Sequence, residues 1–254
     1  GACIPTQFDN VYFDSLAFPD TSIVSLDFPQ AVCHDMDWTG AKFKPTFNGL
    51  AMNVYGSLKF IDSMNYDVTE MAFLSPHPSN TILTANHDMN KEVSFFGAGA
   101  WTLMDSLFIP LGSIEHLEGT LSTNSKKLFC ETFMSNSNLH RTLNLSNSVI
   151  QVHEEAQFNS DNMNLHSGTS LFYFPDTNFN MQRIQTSGSQ SLDFHNVFFE
   201  PFQKGLSRIQ NAGTSRHTFN HVYIYNDGII NGENTFDSLT FAAGNTYELH
   251  HSKT

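Results

Sequence analysis

Hydrophobic and polar residues alternate along most of this chain in short segments bounded by Gly, Asn, Ser or Asp. Ser57-Leu58-Lys59-Phe60, Thr142-Leu143-Asn144-Leu145 and Val149-Ile150-Gln151-Val152 show the pattern clearly. A period of two residues indicates strands with one buried face, and the 3.6-residue period of an amphipathic helix is hard to find anywhere. The pattern therefore predicts an all-β protein made of short strands and turns.

A loose repeat gives more information than the strand pattern alone. Its unit is Phe, two small polar residues, an aliphatic residue, any residue and an apolar residue, and it occurs at Phe8–Phe13, Phe194–Phe199, Phe219–Ile224 and Phe236–Phe241. A second feature is a Gly followed by Ser or Thr, found at Gly56, Gly112, Gly119, Gly168, Gly188 and Gly213. Spacings of roughly 20 to 25 residues are typical of one turn of a β-solenoid.

The repeat unit is interpreted as a strand, a corner and a second strand, with the Phe and the aliphatic side chain pointing inward. Successive turns would stack these side chains at about 4.8 Å, and Asn or Asp at the corners would tolerate left-handed backbone angles and form polar ladders. We therefore predict a right-handed parallel β-helix of roughly ten coils, about 50 Å long.

The alternative fold is a β-sandwich, whose short alternating strands look similar in sequence. An antiparallel fold needs tight hairpin turns, and the main signals for them are Asn48-Gly49, Asp227-Gly228 and Asn231-Gly232. These are few for a chain of 254 residues.

The division into domains follows from the same pattern. Residues 1–50 are expected to form N-terminal coils, either as a separate or as a capping segment, and residues 51–254 a continuous β-helix. Since the pattern is interrupted at His251–Thr254, we expect the chain to be a fragment of a longer polypeptide, because an uncapped end would leave an adhesive strand edge.

Charge narrows the range of partners. The chain carries 12 Lys and Arg against 25 Asp and Glu, for a net charge of −13, which disfavours binding to nucleic acids and to anionic membranes. No segment approaches the roughly 18 consecutive apolar residues of a membrane-spanning helix. We expect neither a nucleic-acid partner nor direct insertion into a membrane.

The three cysteines, Cys3, Cys33 and Cys130, have no zinc-finger spacing. Cys3 and Cys33 fall in the same N-terminal segment and are a candidate disulfide if the protein is exported, because exported chains retain such bonds. Cys130 lies in the apolar run Leu128-Phe129-Cys130 and is interpreted as a core thiol.

Candidate chemistry comes from acidic and aromatic side chains. Pectin-degrading enzymes share the β-helix, but they need clustered carboxylates or carboxylate-bound calcium. The acidic pairs are Asp35/Asp37, Glu115/Glu118 and Glu154/Glu155, and a solvated strand face is the favoured interpretation of such pairs. Glycan or cation contacts are predicted at Asp35, Asp37, Trp38, Glu154 and Glu155. For Trp101, a position in the core is at least as well supported as one on a glycan-binding face.

Motifs for other chemistry are missing from the sequence. The twelve histidines contain no H-E-x-x-H pattern, and there is no G-x-S-x-G elbow, phosphate-binding glycine loop or dinucleotide fingerprint. We therefore predict no catalytic residue, no metal site and no cofactor.

Three segments carry a family resemblance: Val93–Phe174, Cys33–Ala41 and Gly232–Tyr247. They resemble repeat-bearing segments of very large secreted surface proteins of Bacteroidetes-type bacteria. The resemblance implies a β-helical stalk in a giant adhesin or gliding-motility protein, exported by type IX secretion to the bacterial cell surface. It also implies flanking domains of the same polypeptide, the secretion machinery and extracellular glycans or surface polysaccharides as partners, and it carries over no catalytic residue.

The sequence thus predicts a non-enzymatic structural and adhesive module. The alternative is a β-helix that binds or degrades a polysaccharide. An exposed groove holding two carboxylates within about 5 to 9.5 Å of each other would favour a glycosidase, whereas a lateral face without such a pair would favour a stalk.

Overall fold

The computed structural model describes residues 4–26, 30–89, 91–175, 180–201 and 205–250. These residues form strands and turns and contain no helix. The strands are β1 (Val11–Tyr12), β2 (Ile23–Leu26), β3 (Ala31–Cys33), β4 (Met36–Asp37), β5 (Thr46–Val54), β6 (Leu58–Lys59), β7 (Asn65–Phe73), β8 (Asn80–Leu83), β9 (Glu92–Phe95), β10 (Ala100–Leu103), β11 (Leu107–His116), β12 (Gly119–Ser122), β13 (Leu128–Ser135), β14 (Arg141–Asn144), β15 (Val149–Asn159), β16 (Met163–His166), β17 (Leu171–Phe174), β18 (Met181–Ser187), β19 (Asp193–Phe199), β20 (Leu206–Asn211), β21 (His217–Ile224), β22 (Asp227–Asn231), β23 (Asn234–Phe241) and β24 (Tyr247–His250).

The strands stack as a parallel β-solenoid of about ten turns. One sheet has eight strands in the order β1-β4-β6-β8-β10-β12-β14-β16, and the other has sixteen. Every strand pair among the described residues is parallel. The predicted β-solenoid is therefore confirmed and the β-sandwich is not observed: Asn48-Gly49, for instance, lies inside β5 and forms no hairpin.

The phenylalanines of the repeat form an inward stack. Phe194, Phe219 and Phe236 are register partners on β19, β21 and β23. Their ring centroids lie 4.9 Å apart in the first pair and 5.3 Å in the second. Phe8 differs, because it lies in a turn before β1 and its side chain is 81% exposed. Each of these three units lies within a single strand, β19, β21 or β23, and not in two strands joined by a corner as predicted. The inward position of the Phe is correct for these units and wrong for Phe8, which no strand precedes.

Glycines mark turns in which two backbones approach closely. Gly119 has a φ of +77°, and a Cβ atom added there would lie 2.2 Å from the carbonyl oxygen of Gly97. A Cβ atom on Gly213 would lie 2.3 Å from the carbonyl oxygen of Gly188, so these two glycines, 25 residues apart in the sequence, stack on each other. This close stacking explains why these turns carry glycine.

A buried polar cluster joins three successive turns. Arg141 is 1% exposed and donates hydrogen bonds to the carbonyl oxygens of Leu139 at 3.1 Å, Asn159 at 2.7 Å and Asp161 at 2.8 Å, and also to that of Ser135. The guanidinium group therefore satisfies carbonyl groups at a corner where the strand ladder is interrupted. The sequence analysis did not anticipate an arginine inside the solenoid.

The N-terminal strands belong to the same two sheets as the rest of the chain. β1 pairs with β4, and β2 and β3 both pair with β5. Cys33 and Cys130 are both buried and are not bonded to each other. Cys3 lies outside the described residues, so its disulfide with Cys33 stays a prediction.

Candidate functional site

A column of aromatic side chains runs along the outer face of the larger sheet. The column occupies equivalent positions in consecutive turns, as the strand register shows. We call it the aromatic ladder; its members are Phe108, Phe129, Tyr173, Phe198 and Tyr223. Gln151 occupies the position between Phe129 and Tyr173.

Strand alternation explains why these rings face outward. In β17, Phe172 and Phe174 are completely buried in the core, and Tyr173 between them is partly exposed. The same alternation leaves Phe198 partly exposed beside the buried Phe199. Because side chains of a strand point to opposite faces in turn, the equivalent position of each turn faces outward, and the aromatic residues there form an outer column that Gln151 interrupts.

The ladder rings contact one another from turn to turn. The centroids of Phe108 and Phe129 lie 6.2 Å apart, those of Tyr173 and Phe198 lie 5.9 Å apart, and those of Phe198 and Tyr223 lie 5.9 Å apart. Tyr225 adds a further ring 5.3 Å from Phe198. The result is a strip of aromatic surface whose long direction is the axis of the solenoid.

Carboxylates border the ladder on one side at some of its turns, where the strands end or bend. Glu131 and Glu200 each come two residues after a ladder ring, and Glu154 lies at the corresponding bend of β15. The pKa of Glu154 is raised by burial and by the neighbouring carboxylates of Glu131 and Glu155. The hydroxyl group of Tyr173 donates a 2.6 Å hydrogen bond to Oε2 of Glu200, and burial together with this bond raises the pKa of Tyr173 to about 12.

Nitrogen-bearing side chains follow the ladder on the other side. Asn196 and His221 are register partners, each two residues before a ladder ring. Nδ2 of Asn220 lies 3.3 Å from Oδ1 of Asn196, and Nζ of Lys127 lies 5.6 Å from the ring centroid of Phe129. The aromatic strip is therefore bordered by carboxylates at some turns on one side, and at some turns on the other side by side chains that can donate or accept hydrogen bonds.

Of the predicted contact residues, Asp35, Asp37 and Trp38 lie at the N-terminal end. Oδ1 of Asp35 accepts a 2.6 Å hydrogen bond from the backbone N–H of Ser57, and Oδ1 of Asp37 accepts a 2.7 Å bond from that of Thr39. Both carboxylates thus accept hydrogen bonds from backbone N–H groups in turns. Trp38 is 0% exposed and its ring lies 3.7 Å from that of Phe13, so it offers no face to a ligand.

Glu154 and Glu155 lie on β15 of the larger sheet, whereas Asp37 lies on β4 of the smaller sheet. Glu155 is 9% exposed and forms an ion pair of 2.5 Å with Arg183, whereas Glu154 borders the ladder. The structure therefore brings one of the five predicted contact residues to the ladder and does not bring the five together. Trp101 is completely buried and belongs to the core.

A groove separate from the ladder lies beside His34, near Asp35. It has a volume of about 560 Å³ and is lined by Gln7, Phe8, Asn10, His34, Tyr55, Leu74, Pro76 and His77. Nδ1 of His34 lies 3.1 Å from Oδ1 of Asn10 and 3.4 Å from Oδ1 of Asp35. The groove occupies the corner of a few turns, whereas the ladder extends over most of the solenoid.

The ladder is not among the features predicted from the sequence, although the repeat contains its signal. Phe198 and Tyr223 hold the fifth position of the repeat unit, at which the unit accepts any residue. Thr240 holds that position in the last unit and continues the column. Because the side chains at the fourth and sixth positions point inward, the side chain at the fifth must point outward. An aromatic residue at the fifth position therefore predicts a ring on the outer face.

Within the described residues, no group of three or more His, Cys, Asp or Glu side chains is arranged to hold a metal ion. Nor does that part of the chain contain a helix long and apolar enough to cross a membrane. No protein-family model matches the chain, and neither a curated protein nor a solved structure matches it. The function is therefore argued from the fold and the aromatic ladder.

Proposed function

We propose that this chain is a non-enzymatic structural and adhesive module, a stiff segment of a large extracellular protein on a bacterial cell surface. One observation carries the proposal: parallel pairing continues from β1 to β16 in the smaller sheet and from β2 to β24 in the larger one, and the core is continuous beneath them. A solenoid of this kind presents long lateral faces at fixed spacing, which suits a stalk that also makes contacts.

The stiffness has a physical basis in nearest-neighbour stacking. Each internal turn pairs with the turn before it and the turn after it, as β13 does with β11 and β15. Opening one turn would break both sets of hydrogen bonds and expose two strand edges together with the stacked core side chains. Local opening is therefore resisted from both sides.

The polar side chains that resemble groups of catalytic residues form hydrogen bonds or ion pairs within the fold. Oγ of Ser135 lies 3.3 Å from Nδ1 of His116, but both residues are 0% exposed and sit inside the solenoid with Arg141. Glu155 is neutralised by Arg183 at 2.5 Å. These arrangements favour a structural role over a hydrolytic one.

The proposed location rests on the resemblance of Val93–Phe174 and the two shorter segments to secreted surface proteins. The net charge of −13 adds a physical reason, because like-charged rods on a cell surface repel each other and stay dispersed. Flanking domains and the type IX secretion machinery are the partners that this proposal implies.

Three measurements test the proposal. Antibodies raised against the purified protein should label intact cells of the bacterium that makes it, and in-frame removal of residues 51–250 from the parent protein should reduce the attachment of those cells to surfaces. Labelling that requires permeabilised cells would contradict the location. Shortening of any polysaccharide by the purified protein, measured by size-exclusion chromatography, would contradict the non-enzymatic role and favour the degrading alternative.

A further inference from the structure

We propose that the aromatic ladder binds a neutral, linear polysaccharide that lies along the axis of the solenoid. The inference deepens the adhesive part of the proposed function and rests on it. The ligand class follows from three properties of the face: its shape, the charge of its borders and the fixed position of its rings.

The shape of the face is that of an extended strip. Tyr173, Phe198 and Tyr223 follow one another in three successive turns, with centroid distances of 5.9 Å at both steps. One face of a pyranose ring carries C–H groups that pack on an aromatic ring, while its hydroxyl groups point to the sides. A polysaccharide repeats this arrangement along its length, so successive sugar units can contact successive rings.

The borders of the strip match the sides of such a chain. Carboxylate oxygens of Glu131, Glu154 and Glu200 accept hydrogen bonds from hydroxyl groups, and the amide of Asn196 and the imidazole of His221 supply further polar contacts. These carboxylates repel uronate, sulfate and phosphate groups, and the net charge of −13 acts in the same direction. An anionic chain is therefore disfavoured, and we take the ligand to be a neutral polysaccharide.

The same charge argument disfavours a second copy of the chain as the occupant. Two ladders placed face to face would bring the carboxylate rows of both copies into one interface from which water is excluded. Like charges brought together in this way are unfavourable. A neutral chain covers the rings without this repulsion.

The rings are held in place before any ligand arrives. The hydroxyl group of Tyr173 is bonded to Glu200 at 2.6 Å, and the amide of Asn226 donates to the backbone carbonyl of the same Glu200 at 2.7 Å. Phe198 is in contact with Tyr173, Tyr223 and Tyr225. Because little side-chain freedom is lost on binding, such a face can hold an extended ligand by shallow contacts.

Co-sedimentation with insoluble cellulose, chitin and mannan, together with affinity electrophoresis in soluble xyloglucan and polygalacturonate, tests the inference. The wild-type protein should bind at least one of the neutral polysaccharides and not polygalacturonate. Phe198→Ala and Tyr223→Ala should each weaken that binding by about ten-fold or more, as the loss of a central aromatic contact does in other interfaces.

Matched variants separate binding from folding. Phe96→Ala removes a ring of the same type that is 47% exposed at another corner and should change the affinity less than about two-fold, as should Phe198→Tyr, which keeps the ring. Each variant is first shown to unfold cooperatively by circular dichroism. If Phe198→Ala does not fold, Tyr223→Ala at the adjacent position answers the same question.

Three results would overturn the inference: no binding to any of the neutral polysaccharides, binding that the ladder variants leave unchanged, or preferential binding to polygalacturonate. None of these would affect labelling of intact cells. Failure of the ladder as a polysaccharide site is therefore distinguishable from failure of the proposed surface function.

Discussion

Phe194 and Phe219 are 25 residues apart in the sequence, yet their rings stack with centroids 4.9 Å apart and planes inclined by only 9°. One lies on β19 and the other on β21, two strands paired in register. Phe236 continues the stack at 5.3 Å. This relationship defines the molecule, because a residue in one turn is packed chiefly by its counterparts in the turns on either side.

Truncating the middle ring of this stack should be costly. Phe219→Ala removes a ring that is 1% exposed and contacts both Phe194 and Phe236, and we expect it to lower the free energy of unfolding by about 3 to 5 kcal/mol. Urea denaturation followed by circular dichroism measures the change. Phe96→Ala, at a 47% exposed ring, should cost less than about 1 kcal/mol; equal losses for the two variants would argue against an inward stack.

Two glycines with positive φ allow a matched test of how closely the backbones of adjacent turns approach each other. Gly119 (φ +77°) and Gly244 (φ +90°) both adopt a conformation that L residues avoid, but only at Gly119 does an added Cβ atom meet backbone, 2.2 Å from Gly97 O. Gly244→Ala should therefore cost about 1 kcal/mol of backbone strain, and Gly119→Ala at least about 2 kcal/mol more. Thermal and urea unfolding of both variants give the difference, and similar costs would contradict the close stacking of the turns.

The interior arginine should be irreplaceable by lysine. Arg141→Met leaves carbonyl groups of Ser135, Asn159 and Asp161 without their donor, and we expect a loss of about 3 to 5 kcal/mol in the free energy of unfolding. Arg141→Lys should recover little, because an ammonium group cannot reproduce the planar set of N–H donors.

Arg216 provides the control for that experiment. Its side chain is 60% exposed and lies 3.7 Å from Glu233, so Arg216→Met should change stability by less than about 0.5 kcal/mol. Recovery of wild-type stability by Arg141→Lys would show that charge alone, rather than the pattern of hydrogen bonds, is required at this corner.

Two buried histidines should make the fold sensitive to acid. Burial lowers the pKa of His116 and of His217 from 6.5 to about 4. Nδ1 of His217 accepts a hydrogen bond from the backbone N–H of Leu192 at 3.1 Å, which a protonated ring cannot do. Between pH 6.5 and pH 4 the unfolded chain binds protons that the folded chain does not, so stability falls as the pH falls, by up to about 3 kcal/mol for each histidine.

Two carboxylates act on this slope in the opposite direction. The pKa of Glu92 is raised by burial and by Glu115 and Glu70, and that of Glu154 is also raised, so protonation of these two side chains favours the folded state. The double variant His116→Gln/His217→Asn removes both histidines, and its difference from the wild type gives their share of the pH dependence. Its urea midpoint should change less between about pH 7 and pH 4.5 than that of the wild type, and an unchanged slope would show that neither histidine is held neutral by the fold.

The sequence was sufficient to predict the parallel solenoid and the positions of its inward side chains. Phe194, Phe219 and Phe236 stack because the same spacing of apolar residues recurs in adjacent turns, and Gly188 and Gly213 meet for the same reason. Such repetition can be recognised from the sequence alone. Phe8 has the same local pattern but no strand before it, and the unit alone does not contain that information.

The candidate site was less predictable, because it depends on which outward positions align. Glu154 was identified from its acidic neighbour, but its place beside the ladder follows from the bend of β15 and from the register with β13. Trp38 was assigned to a surface because tryptophan often binds sugars, whereas its packing against Phe13 buries it completely. Arg141 inside the solenoid satisfies carbonyl groups from 18 and 20 residues further along the chain, contacts that no local motif encodes.

The most direct test of the account is whether the outer positions of adjacent turns lie one above the other. Nitroxide labels on Phe198→Cys and Tyr223→Cys, in a chain whose Cys3 is replaced by Ser and whose Cys33 and Cys130 are buried, should lie on neighbouring strands about 4.8 Å apart. Electron paramagnetic resonance should then show strong spin–spin broadening, absent when Phe198→Cys is combined with Thr142→Cys on the other sheet. Spectra without broadening for the first pair would contradict the stacking on which both the rod and the aromatic ladder depend.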